Sequence, residues 1–127
     1  MNLVMFLAVG LGAFAGAVVR WLLSIALNPI LPSLPLGTLA ANLIGGLIIG
    51  VAMGVFAHAD VPVVWRLAIT TGFLGGLTTF SSFSAETVAL FLRQEYGWTL
   101  AIVAAHLFGS LLLTLAGVAL ARLVLRV

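Results

Sequence analysis

Gly72-Phe73-Leu74-Gly75-Gly76-Leu77-Thr78-Thr79-Phe80-Ser81-Ser82-Phe83-Ser84-Ala85-Glu86-Thr87 lies inside the third of four apolar segments and differs in kind from the other three. Three glycines loosen its first part, and the ten residues from Thr78 to Thr87 carry six hydroxyl side chains. Phe80 and Phe83 stand three residues apart, so on a helix they share a face. A polar, helix-breaking segment at membrane depth is tolerated only where protein buries it or water lines it. The simplest use for such a segment is a passage or binding site for something hydrophilic.

The rest of the chain places this stretch in a membrane. Of 127 residues, 64% are hydrophobic and 6% charged, whereas a soluble domain carries about a quarter charged residues. With no cysteine, disulfides, thiolate metal sites and thiol nucleophiles are excluded. The net charge of +2 comes from scattered arginines and offers no nucleic-acid footprint. The run from Leu3 to Leu27 lacks a basic leader and exceeds a signal-peptide core, so it reads as a retained first span.

Four helices are expected in one transmembrane domain, over about 3–27, 37–57, 62–93 and 99–123. Each meets the roughly 20 apolar residues that a bilayer core requires. Pro29, Pro32 and Pro35 end the first helix in a loop. A short turn at 58–62 and a loop at 94–97 join the others, with Trp98 as an interfacial anchor. The third span is expected to break near 75–79, at its glycines. Gly12 and Gly16 form a GxxxG pair that lets another helix approach. Thr38, Asn42, Gly46, Gly50 and Gly54 recur every four residues, as do His106, Ser110 and Thr114, giving each helix a small or polar stripe.

With four spans, Arg66, Arg122 and Arg126 fall on one side of the membrane, and Arg93 on the other with Arg20 towards it. Three against two is almost no positive-inside bias. Such a chain inserts either way up, and two opposed copies can pair about an axis in the membrane plane. Four helices cannot enclose a polar path and also bury both stripes, so oligomerisation is the physical expectation.

Several residues carry two readings. Asn42 either glues helices together or donates to an ion in transit. Arg20 either snorkels to the interface or lures anions into a vestibule. Glu86, an acid well inside a span, suits proton coupling, cation binding or structural pairing. Phe80 and Phe83 either pack or present positive ring edges to a small anion. The line His106, Ser110, Thr114 is either a helix–helix ladder or a track for water and ions. Freed carbonyls at the break, doubled by an antiparallel copy, would suit a hard monovalent cation. No nucleophile elbow orders Ser, His and Glu for hydrolysis, and two histidines on different segments make a poor metal site.

Gly75-Gly76-Leu77-Thr78-Thr79-Phe80-Ser81-Ser82-Phe83-Ser84 closely resembles the signature of the CrcB/Fluc fluoride channels, GGLTTFSTFS, departing only at Ser82. Gly-x-x-x-Arg-Trp at 16–21 and Gly-Thr-Leu-x-x-Asn at 37–42 extend the resemblance along the chain. It implies a dual-topology antiparallel homodimer in a bacterial inner membrane, with two fluoride pores. By similarity, Phe80 and Phe83 are the family's phenylalanine box and Asn42 its pore asparagine. Gly75 and Thr78 match the positions whose carbonyls hold a central structural sodium ion. His106, Ser110 and Thr114 match its polar track, and Arg20 its first-span arginine. Thr38, Ser81, Ser84 and Glu86 match polar positions near the pore.

Two other functions compete. A small multidrug-type cation/proton antiporter is also short and four-spanning, but it needs an acid in the first span, where this chain has Arg20. A non-transporting membrane subunit would leave six clustered hydroxyls without a purpose.

Overall fold

The computed structural model describes all 127 residues as helices and short connections, without strands. Helix α1 (Leu3–Leu27) begins at Asn2, whose side chain accepts from the Met5 N–H at 3.0 Å. A 3-10 turn (Asn28–Ile30) leads into the proline loop and then α2 (Leu36–His58). The third span comprises α3 (Val63–Leu67), a π-helical stretch (Ala68–Leu74), α4 (Gly75–Leu77) and α5 (Phe80–Leu92). Helix α6 (Tyr96–Leu125) closes the chain. Four stretches, Leu3–Ile30, Leu36–His58, Val63–Leu92 and Tyr96–Leu125, are long and apolar enough to cross a membrane.

The break falls where expected but not on the residues expected to make it. Gly72, Gly75 and Gly76 keep helical winding, and Thr78 (ψ 152) and Thr79 (ψ 119) are extended instead. Gly72 and Gly76 serve close approach to α1. A Cβ at Gly72 would lie 2.8 Å from the Val9 carbonyl oxygen, and one at Gly76 would run into the Ala13 carbonyl. In return, a Cβ at Gly16 would strike the Phe73 carbonyl. Without a hydrophobic drive between helices in lipid, such backbone proximity is what lets spans associate.

The α2 stripe divides by function along its length. Its bare end, Gly46 to Gly54, packs on α6, and a Cβ at Gly50 would collide with the Thr114 carbonyl. Its polar end, Thr38 and Asn42, faces α5 and the break. The buried centre is small, with Ala41, Leu74, Leu77 and Ile102 almost wholly enclosed. Most large apolar side chains lie on the outer surface, as suits a chain solvated by lipid. Tyr96 and Gly97, expected in a loop, already belong to α6. The connection shortens to Arg93–Glu95, with Gln94 in the left-handed region (φ 61).

Candidate functional site

The extended residues Thr78 and Thr79 interrupt the helical bonding of the third span, and side chains from other helices take up part of it. Asn42 of α2 receives the Thr79 N–H on Oδ1 at 2.8 Å and donates from Nδ2 to the Thr79 carbonyl at 3.0 Å. Its amide thus pairs with Thr79 as a neighbouring strand would. Nδ2 also lies 3.0 Å from His106 Nδ1 on α6. Both amide hydrogens are therefore engaged within the chain, and the gluing reading of Asn42 is the one the geometry displays. Thr79 caps α5, its Oγ1 accepting from the Ser82 N–H at 3.1 Å.

Arg20 is a third support. Its Nε donates at 3.0 Å to the carbonyl of Gly76, just before the break. The side chain is half-buried and its Nε is committed to the main chain. That strut to the backbone is a role neither reading of Arg20 from the sequence named.

Above this frame opens a cleft of about 510 Å³. Asn42, Gly75, Thr78, Phe80, Phe83, His106 and Ser110 line it together with apolar residues of α2 and α6. Phe80 is 78% exposed, a costly position for a packing residue in water and an unsheltered one here. The two phenylalanine rings meet edge to face, centroids 5.5 Å apart. Phe83 in turn packs across the His106 imidazole at 4.6 Å, tilted by 34°. His106 is 5% exposed, and its Nε2 is buried without a hydrogen-bond partner.

Beyond the cleft, Thr38 Oγ1 donates to Glu86 Oε1 at 2.6 Å, while Glu86 Oε2 is buried and unpartnered. Glu86 is thus at least a structural partner of α2. Ser81 is exposed beside the break, with its Oγ 3.2 Å from Thr79 Oγ1; Ser84 is half-buried one turn before Thr87. Thr114 stands apart. Its Oγ1 is engaged with the carbonyls of Gly46 (3.0 Å) and Ser110 (2.9 Å) in the α2–α6 seam. The carbonyl of Thr78 is the opposite case. Gly75 and Thr78 are both cleft residues, and the Thr78 carbonyl, outside any helix, accepts no hydrogen bond from the chain. A backbone carbonyl oxygen is a hard donor, the ligand type that an alkali cation takes at membrane depth.

Sequence reasoning missed Thr79 and Asn28. Thr79 was visible as a hydroxyl before a helix, the ordinary N-cap signal. Asn28 reaches across the proline loop, its Oδ1 accepting from the N–H groups of Gly37 (2.8 Å) and Thr38 (3.2 Å). No local pattern announces a cap supplied from nine residues away.

Four membrane-length helices, one of them broken beside an open cleft, define an integral membrane protein. Residues 7–118 match the family model described as "CrcB-like protein, Camphor Resistance (CrcB)". The chain is 55% identical over 119 residues to the fluoride-specific ion channel FluC of Nitrosospira multiformis, covering 93% of each protein. It is 57% identical to the protein so named from Cupriavidus taiwanensis and 58% identical to that from Ralstonia pickettii, each over 113 residues, 88% of this chain and 90% of the relative. The chain belongs to the CrcB family. That membership leaves the antiporter and the inert subunit without support.

Proposed function

We propose that this protein is a fluoride-selective channel that lets the ion leave the cell passively across a bacterial inner membrane, conferring fluoride resistance. One observation carries the reading. The break brings the Phe80 and Phe83 rings, the His106 imidazole and the Ser110 hydroxyl to one cleft, which offers a small anion ring edges and donors without a fixed cation. Fluoride sheds water at a high free-energy cost, and groups of this kind replace part of its shell, as filter groups do in other channels. Ser81, Ser84, Thr38 and Glu86 would line the approach, with Thr38 and Glu86 fixing one another. Arg20 and Asn42 would act chiefly by holding the broken segment in shape.

The working unit of the proposal is an antiparallel, dual-topology homodimer with two pores. The cleft is open on the single chain, and a second copy would shield it from lipid. Two carbonyls per chain, from Gly75 and Thr78, are too few to replace an alkali ion's water. Two copies meeting at this face would supply twice as many for a structural sodium ion. The charge of that ion would hold the two breaks together.

Purified protein in liposomes loaded with potassium fluoride tests the function. Release followed with a fluoride electrode should require a potassium ionophore, need no proton gradient and pass chloride poorly. Release independent of the ionophore would point to coupled exchange and sink the channel. For the dual topology, a tag on the C-terminus should be labelled from both sides of the native membrane; labelling from one side alone would exclude it.

A further inference from the structure

The orientation of the Asn42 amide is not free. Thr79 offers it one N–H and one carbonyl, and an N–H can meet only the amide oxygen, a carbonyl only the amide nitrogen. Nδ2 carries two hydrogens. One goes to the Thr79 carbonyl, and the other is directed to His106 Nδ1 at 3.0 Å. Nδ1 must then accept and carries no proton. A neutral imidazole keeps its single proton on the other nitrogen, here the buried Nε2 that has no partner.

We propose that Asn42 sets His106 as the Nε2–H tautomer, and that this buried N–H, on the ring that Phe83 packs against, is a donor reserved for fluoride. The inference rests on the channel reading above and adds the atom and its proton. A buried donor without an acceptor is unfavourable, and an anion arriving as Phe83 moves aside relieves it. A donor-only position turns cations away, and fluoride, a compact and strong acceptor, gains most there. Asn42 is a positioning residue in this account. It fixes through Thr79 which face of the imidazole donates. The chain's other histidine shows the reverse assignment: His58 Nδ1 lies 3.0 Å from the Gly54 carbonyl and must donate to it.

Imidazole nitrogens report their protonation directly in nitrogen-15 NMR. The full-length protein, labelled at histidine and held in nanodiscs at about pH 8, above the ordinary imidazole range, gives two rings that His58→Gln tells apart. His106 should show a bare Nδ1 and a protonated Nε2. Replacing sodium gluconate with sodium fluoride should shift the Nε2–H signal. In Asn42→Asp a carboxylate has no hydrogen to donate, so Nδ1 should gain a proton and fluoride flux should fall by about tenfold or more, a loss of at least one decade in rate. A protonated Nδ1 in the wild type, an Nε2–H indifferent to fluoride, or a bare Nδ1 in Asn42→Asp each overturns the proposal. If the variant does not fold, the wild-type spectra decide. Flux through liposomes is read in parallel. Flux with a protonated Nδ1 removes this inference and leaves the channel, whereas Nε2–H without flux removes the channel reading and the fluoride role with it.

Discussion

Helix α2 meets two neighbours along one stripe, and the two contacts differ in what they leave over. At the seam with α6, glycine lets the backbones touch, and the hydroxyl of Thr114 is turned onto carbonyls of α2 and of its own helix. No buried side-chain polar atom between Gly46 and Gly54 and the helix facing them is left without a partner. At the break, Asn42, Arg20 and Thr79 satisfy part of an interrupted main chain, yet the Thr78 carbonyl and His106 Nε2 stay without partners. Regular helices bind all their interior backbone groups and need only smooth surfaces to pack. Two extended residues release groups that a single chain cannot fully re-pair. Chemistry follows the surplus.

The contrast can be broken most severely at the seam. Gly50→Leu places a side chain where even a Cβ meets the Thr114 carbonyl, and we expect loss of the monodisperse protein on size exclusion. A folded, active Gly50→Leu would show the seam to be far looser than its geometry.

At the cleft the expected damage is to transport and not to folding. Phe80→Ile and Phe83→Ile keep similar apolar volume, a change cores usually tolerate, but remove the positive ring edges. Each should lower fluoride flux by about tenfold or more while elution is unchanged. Wild-type flux in both would return the rings to packing.

Arg20→Leu sharpens the comparison in the other direction, since it leaves the Gly76 carbonyl unpaired. Loss of a charge-assisted hydrogen bond of this kind costs about 1.5–3 kcal/mol, reduced here because the side chain is half-exposed. A lowered thermal midpoint in detergent should accompany reduced flux. Reduced flux at an unchanged midpoint would favour a vestibule role for its charge.

Thr114→Val should do least. The seam loses one hydroxyl contact, about 1 kcal/mol, and flux should stay within about twofold of wild type. A strong loss would move Thr114 from the seam into the ion's path, as its match to the family's polar track implies.

Much of this was legible in the chain. Hydropathy and prolines settle four spans because a bilayer demands about 20 apolar residues per helix and proline cannot continue one. The glycines and the hydroxyls that follow them bracket the break to within a few residues, since a polar, helix-breaking segment at that depth must be buried by protein or lined by water. Spacing also shows that Phe80 and Phe83 share a face and that α2 has a small-residue stripe. Tertiary structure alone decided which residues do which work. The glycines suggested flexibility, but Gly72 and Gly76 face α1 and serve its approach. Arg20 meets Gly76 across 56 positions, and Asn42 meets His106 across 64. Separations of that size carry no sequence period. Whether a polar side chain is a donor for a solute or a strut for the backbone depends on what its partner has left unbonded, and only the packed helices determine that.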